Sequence, residues 1–230
     1  MENSGRRKEI LRLVNENGRV TIGFLAQKTY ASPSTVRREL EALARQGLLR
    51  RHHGGAESVL SLRPTLVVRR QVNQTEKKQI AARAAALVRA GDTIFLDAST
   101  TVQYMIPHLQ GVEGLTVYTN GADTALRLAE TGIRTVSTGG ELLTESMAYV
   151  GEVAADTVKR IYFDAVFFSS AGFDDAFISD WSESETAFRR AVIAQTATCC
   201  FLADHTKRGK RHTHIVCPIS RPDAILVDEE

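Results

Sequence analysis

Apolar residues in the first part of the chain recur at helical spacing. In "RRKEILRLVNE", Ile10, Leu13 and Val14 share one face of a helix predicted over 6–16, and Asn17-Gly18 stops it. Thr21 is placed to cap a short helix with Ile22, Leu25 and Ala26 inward, and Ser32-Pro33 supplies the N-cap and first turn of another. At 100° per residue that helix puts Val36, Leu40 and Leu43 on one face. Ser34, Arg38, Glu41 and Arg45 lie opposite, with Arg37 beside them. Two helices joined by a short turn predict a helix-turn-helix. "LLRRHHGGAE" then reads as a β-ribbon with a basic tip, a wing able to lie along a nucleic-acid backbone.

Residues 58–74 show no clean period and read as a linker with room for a short strand or helix. From Thr75 the pattern changes. Thr75 is expected to cap a helix carrying Ile80, Ala81, Ala84, Leu87 and Val88 inward, ended by Gly91. Continuous apolar runs of strand length follow at 93–97, 115–119, 134–138, 164–170, 199–204 and 224–228. Helical segments fall near 100–109, 121–131, 151–160 and 184–197. This alternation predicts an α/β unit with a largely parallel sheet covered on both faces, whose ligand lies beyond the carboxyl ends of the strands.

Small polar residues collect at those ends: Asp97, Ser99, Thr100 and Thr101; Thr119, Asn120 and Gly121; Thr138, Gly139 and Gly140; Ser169, Ser170 and Gly172; Asp204, His205, Thr206 and Lys207. Each tip alone is ordinary capping chemistry, but five together suit an anion, with Lys207 adding charge. His205 and Arg208 either extend that positive lining or face solvent. Trp181, the single tryptophan, is either a packing residue or a cover over a sugar ring.

Charge sharpens the division. Residues 1–57 hold 11 Lys and Arg against 6 Asp and Glu, a net +5, whereas the rest hold 18 against 21, a net −3. A small basic unit on a mildly acidic body suits a polyanionic partner. Apolar residues make up 43% of the 230, as in an ordinary globular chain with a sizeable core. No run is long and apolar enough for a membrane span, and the start lacks the apolar stretch of a secretory signal, so a cytoplasmic location is expected. Cys199, Cys200 and Cys217 form neither a disulfide framework nor a metal-ligand set, and read as reduced core residues.

Ser32, Thr35, Arg37, Arg38, Glu39 and Leu40, then Arg51, Gly54, Gly55 and Ala56, resemble the signature of the DeoR family of bacterial transcriptional regulators. Tyr30 stands where that family usually has a turn glycine. In the C-terminal part, Asp97, Thr100, Thr101, Thr119, Asn120, Gly139, Gly140, Gly151, Asp164, Gly172, Leu202, Asp204 and Lys207 resemble landmarks of the family's sensor. Its fold is similar to that of ribose-5-phosphate isomerase and glucosamine-6-phosphate deaminase. Ser99 replaces a usual glycine in the aspartate-x-glycine-threonine-threonine loop. The resemblance implies a repressor, less often an activator, of a sugar or polyol catabolic operon that responds to a phosphorylated intermediate.

The expected organisation is a winged helix-turn-helix over 1–57, a linker over 58–74 and an effector-binding sensor over 75–230. Ser32, Ser34, Thr35, Arg37, Arg38, Arg50, Arg51 and His52 are the candidate DNA-binding residues. Asp97, Ser99, Thr100, Thr101, Thr119, Asn120, Gly121, Gly139, Gly140, Gly172, Trp181 and Lys207 are the candidate effector residues. Neither a metal nor a cofactor is expected. Reading a repeated or inverted operator calls for a homodimer or homotetramer. The rival is a sugar-phosphate isomerase-like enzyme carrying a DNA-binding domain. Asp97, Asp204, Glu183, Glu185 or His205 would then supply a general base, although no compact carboxylate-histidine constellation is visible.

Overall fold

Both hydroxyls expected to cap N-terminal helices do so. Thr21 Oγ1 accepts from Phe24 N at 3.2 Å and Ser32 Oγ from Thr35 N at 3.2 Å, each satisfying a first-turn donor. The computed structural model describes residues 2–59 and 66–228, and the chain divides into two units, 1–69 and 70–230. The first contains α1 (Glu2–Asn17), β1 (Arg19–Thr21), α2 (Ile22–Lys28), α3 (Pro33–Arg45), β2 (Leu49–His52) and β3 (Gly55–Ser58). Its core joins Ile10 and Val14 of α1, Leu25 of α2 and Val36, Leu40 and Leu43 of α3. Ile22 and Ala26 are only partly buried against it.

The wing is wider than expected, because β1 pairs with β3 and makes the ribbon a three-stranded antiparallel sheet, β1-β3-β2. The double glycine follows from that. Gly54 turns at φ +91°, and a Cβ on Gly55 would lie 2.0 Å from the Val20 carbonyl oxygen of β1.

Part of the linker reading, 60–65, lies outside the described residues. The remainder of 58–74 holds a short helix, α4 (Leu66–Gln71), and then α5 (Gln74–Ala85) begins. Thr75 is not its cap. Asn73 holds that position in the left-handed region (φ 53°, ψ 45°), which asparagine tolerates better than most residues. Leu87 lies beyond the helix and is exposed, whereas Ile80, Ala81 and Ala84 face the core and Val88, also beyond the helix, packs partly buried against it.

All six expected strands form one parallel sheet: β4 (Thr93–Leu96), β5 (Thr116–Thr119), β6 (Arg134–Ser137), β9 (Phe163–Phe168), β12 (Thr196–Ala203) and β14 (Ala224–Val227), ordered β14-β12-β9-β4-β5-β6. Side-chain alternation sends Ile94, Leu96, Val117 and Phe167 to one core with α5, α6 (Thr100–Gln103) and α7 (Ile106–Leu109). Phe95, Val166, Phe168 and Phe201 go to the other, with α9 (Gly151–Lys159) and α10 (Glu183–Ile193). α8 (Ala122–Ala129) follows β5. Burying each such phenylalanine is worth about 2–3 kcal/mol, which is why both faces read as unbroken apolar runs.

Two additions escaped the periodicity. β7 (Glu141–Leu143) and β8 (Ala148–Val150) pair antiparallel, and β10 (Gly172–Phe173), β11 (Phe177–Asp180) and β13 (His214–Pro218) form a small antiparallel sheet. The polar stretch around Trp181 is therefore strand over Phe177–Asp180 and helix from Glu183, and the single helix expected over 100–109 is two short ones. The three cysteines are free and buried, and burial pushes their thiols up, to about 12 for Cys199 and about 11 for Cys200 and Cys217.

Candidate operator interface and effector site

On α3 the predicted outward face is outward. Ser34, Arg37 and Arg38 are exposed, and neither arginine is ion-paired among the described residues. The hydroxyls of Ser34 and Thr35 lie 2.8 and 2.9 Å from Ser32 Oγ, a cluster at the start of the helix. Glu39 faces the other way, fully buried, where Arg7 pairs with it and Arg6 approaches to 3.7 Å.

The wing residues are less uniform than a basic tip. Arg50 lies 3.7 Å from Glu57, and His52 is held by Arg19 Nε at 3.2 Å and the His53 carbonyl at 3.0 Å. Strand alternation puts Arg50 and His52 on one face of β2 and Arg51 on the other.

In the second unit, chain connectivity selects the site. From β4 the chain runs outward through β5 to β6, then returns to β9 on the other side of β4 and continues to β12 and β14. The strand order reverses between β4 and β9, and ligands of open α/β sheets bind where the loops diverge in this way. Asp97 ends β4 there, buried at 1% exposure. Its carboxylate accepts from Ser99 N (2.9 Å) and Ser169 N (3.1 Å), stitching the two diverging loops together. Both oxygens are thereby occupied, so Asp97 acts as a brace under the site.

Beneath it lies a residue that sequence reasoning missed. Arg189 of α10, buried, reaches Asp97 (3.4 Å), Asp180 at the end of β11 (2.9 Å) and Glu185 one turn earlier (3.0 Å). Burial lowers the arginine's proton affinity, but the three carboxylates outweigh it and hold the pKa above its ordinary value. Burial likewise opposes ionisation of Asp180, yet Arg189 and the N–H groups of Ser182 and Trp181 hold that carboxyl below the usual range. The Glu185–Arg189 spacing was legible as an i,i+4 pair, but its inward direction was not.

Ser99 answers to ordinary backbone geometry. At φ −73°, ψ 145° it needs no glycine, and its hydroxyl caps α6 by accepting from Val102 N at 3.3 Å. Thr100 and Thr101 follow, both buried, and Thr101 Oγ1 is a buried hydroxyl without a hydrogen-bond partner among the described residues. Across the switch point, half-buried Lys207 places Nζ 2.9 Å from Ser169 Oγ. Lys207 and Ser169 thus meet at the diverging loops.

The other tips serve the frame. Asn120 accepts from Ala98 N (3.1 Å) and donates to the Tyr149 carbonyl (3.0 Å), while Thr119 Oγ1 accepts from Gly121 N (3.0 Å). A Cβ on Gly121 would meet Thr124 Oγ1 at 2.4 Å, and one on Gly172 the Lys210 carbonyl at 2.4 Å, so both are packing glycines. Gly139 and Gly140 follow edge strand β6, two strands and roughly 10 Å from β4, and turn the chain with positive φ into β7. Trp181 packs edge-on against His212, ring centroids 5.0 Å apart. His212, also missed, has a buried Nε2 without a hydrogen-bond partner among the described residues.

His205 and Arg208 turn from the switch point. His205 Nδ1 lies 2.6 Å from Asp228, which raises the histidine pKa, and Arg208 lies 5.8 Å over the Phe173 ring. A groove of about 490 Å³ opens beside them along edge strand β14, lined by Arg83, Arg208, Asp174 and Asp228 among others and by none of the predicted effector residues. Among the described residues no group of three or more His, Cys, Asp or Glu could hold a metal ion, and no helix is long and apolar enough to cross a membrane.

Comparison with known families fits this division. Residues 6–61 match the DeoR-like helix-turn-helix domain, and residues 72–229 match the DeoR C terminal sensor domain. The chain is a DeoR-family transcriptional regulator. The regulator is 32% identical over 229 residues to the HTH-type transcriptional regulator GolR of Listeria innocua, covering 98% of this chain and 90% of that one. It is 31% identical to the glycerol-3-phosphate regulon repressor of Escherichia coli, covering 99% and 92%. Among solved structures, eIF2B delta from Chaetomium thermophilum shares the fold (TM-score 0.51, 12% identity, 86% of this chain and 63% of that one). Ribose 5 phosphate isomerase A from Neisseria gonorrhoeae is also similar, at a TM-score of 0.45 and 14% identity over 59% of this chain and 53% of that one. The regulator binds DNA through its helix-turn-helix and carries an α/β sensor with a parallel sheet.

Proposed function

We propose that this regulator is a cytoplasmic repressor of a sugar or polyol catabolic operon and that a phosphorylated sugar bound at the switch point controls its hold on operator DNA. One observation carries the effector reading. Lys207 reaches Ser169 where the β4 and β9 loops diverge, and the β4 loop also carries Thr100 and Thr101, the latter with a buried hydroxyl that has no hydrogen-bond partner among the described residues. An unsatisfied buried hydroxyl costs about 1–3 kcal/mol, which a phosphate oxygen would recover. The similarity to a repressor named for the glycerol-3-phosphate regulon supports a phosphorylated sugar or polyol as the effector here.

Operator contact falls to the exposed start of α3, where Ser34, Arg37 and Arg38 would read bases or hold phosphates, and to Arg50, Arg51 and His52 of the wing. Two such helices are needed on a symmetric site, so the working form is a homodimer or homotetramer. No catalysis is proposed. Asp97 and Glu185 are engaged by Arg189, His205 by Asp228, and Asp204 by Asn73 and Thr206.

Transmission would run through residues 70–73, which follow the first unit directly. Arg70 donates to Asp123 at 2.6 Å, and Asn73 Nδ2 donates to Asp204 Oδ1 at 2.8 Å, three residues before Lys207. An effector that shifts the Lys207 turn would shift this strap, and operator affinity would change by the effector's differential affinity for the two arrangements, about 1–3 kcal/mol.

The test is Lys207→Ala, assayed for operator binding with and without a panel of sugar phosphates. The expected variant binds operator normally but no longer responds. A normal response would remove Lys207 from the site, and turnover of any panel member would restore the enzyme reading.

A further inference from the structure

Tyr30 lies in the turn between α2 and α3, two residues before Ser32, the N-cap of α3. Its backbone adopts φ +50°, a region where a bulky side chain is strained and where a glycine would be at ease. Its side chain buries nothing, since the residue is 98% exposed, and among the described residues it has no hydrogen bond or ring contact. Within the folded chain the residue therefore costs backbone strain and exposes an aromatic ring without a compensating contact. Strain of this kind persists at sites that meet a partner.

The partner facing this surface is set by its neighbours. Tyr30 is continuous with exposed Lys28, Ser32 and Ser34 and with the two arginines of α3. A recognition helix enters the major groove by its N-terminus, so the turn just before it flanks the sugar-phosphate backbone. A tyrosine suits that backbone, its ring packing on deoxyribose and its hydroxyl donating to a phosphate oxygen.

We propose that Tyr30 is a DNA-backbone contact that holds the recognition helix in register. The proposal rests on the reading that α3 enters the groove. The experiment uses the full-length protein, a duplex selected on the wild type from a random pool, and an unrelated duplex of equal length. Tyr30→Asn keeps a residue that tolerates the left-handed turn but removes the ring, Tyr30→Gly relaxes the turn as well, and Tyr30→Phe keeps the ring. Arg38→Ala reports on α3 itself.

Tyr30→Asn and Tyr30→Gly are expected to weaken binding about tenfold on both duplexes, because a backbone contact carries no sequence information. The salt slope should stay at the wild-type value, since a phenol neutralises no phosphate. Tyr30→Phe should fall between them and the wild type, and Tyr30→Gly should melt at a higher temperature than the wild type. Wild-type affinity in Tyr30→Asn, with Arg38→Ala weakened, overturns the contact. A loss confined to the selected duplex overturns the backbone assignment, and wild-type binding by Arg38→Ala overturns the α3 reading beneath it.

Discussion

Arg189→Met removes one cation from three carboxylates and replaces it with an apolar side chain of similar length. The side chains of Asp97 and Asp180 are 2% and 9% exposed, so neither regains much water when the guanidinium leaves, whereas Glu185 at 13% has somewhat more access. Breaking a buried ion pair from one side costs about 3–5 kcal/mol, and two well-buried partners put the expected loss near the middle, about 4 kcal/mol. A unit spanning residues 70–230 loses about 2–4 °C per kcal/mol, so thermal unfolding followed by circular dichroism should fall by about 8–16 °C at pH 7.

The pH dependence separates this cause from simple misfit. In the wild type Asp180 titrates below its ordinary value, so its contribution is present above about pH 3.9 and is lost as pH falls through the depressed folded value. In the variant, burial acts on Asp180 without Arg189 and raises its pKa. The native variant then gains a proton on acidification before its unfolded chain does. The gap between the proteins should be widest near pH 7 and narrow toward pH 5. A variant within about 2 °C of wild type at pH 7, or a gap that stays constant from pH 7 to pH 5, would refute this account of the cluster.

Glu39→Gln should destabilise the first unit by about 2 kcal/mol in denaturant titration, less than a fully buried pair because Arg6 and Arg7 are partly exposed and regain water. Unchanged stability would show that the pair contributes nothing. Arg38→Ala should weaken operator binding and lower its salt slope by about 1, which anisotropy titrations at several salt concentrations would measure. Trp181 emission should change when a sugar phosphate binds near its packed ring, and a flat signal with a ligand that calorimetry shows to bind would place the effector elsewhere.

Elements whose signal is local were legible in order. Thr21 and Ser32 cap the helices they precede, and the six apolar runs became the six parallel strands. The misreadings came from structure without a local period. Asn73 replaced Thr75 as a cap because a hydrogen bond to Asp204, 131 residues away, holds it in an unusual conformation. β10 is only two residues long, and β11 pairs with β13 far along the chain, so no alternation announced them. The polar tips were found as a set but not sorted. Asp97, Thr119, Asn120 and Gly121 are bonded into the loops that carry them, Lys207 reaches Ser169, and Thr101 Oγ1 has no hydrogen-bond partner among the described residues.

By itself the sequence determined a basic helix-turn-helix followed by an α/β unit with hydroxyl-rich strand ends, because caps, periods and turn residues act over a few positions. Which of those ends come together depends on strand order, a tertiary property. The strand order sets β4 beside β9, and that neighbourhood brings Asp97 to Ser169, Lys207 to Ser169, and Arg189 beneath them. In the same loop Asp97 turns down into a buried ion-pair cluster, and Thr101 has a buried hydroxyl without a hydrogen-bond partner among the described residues.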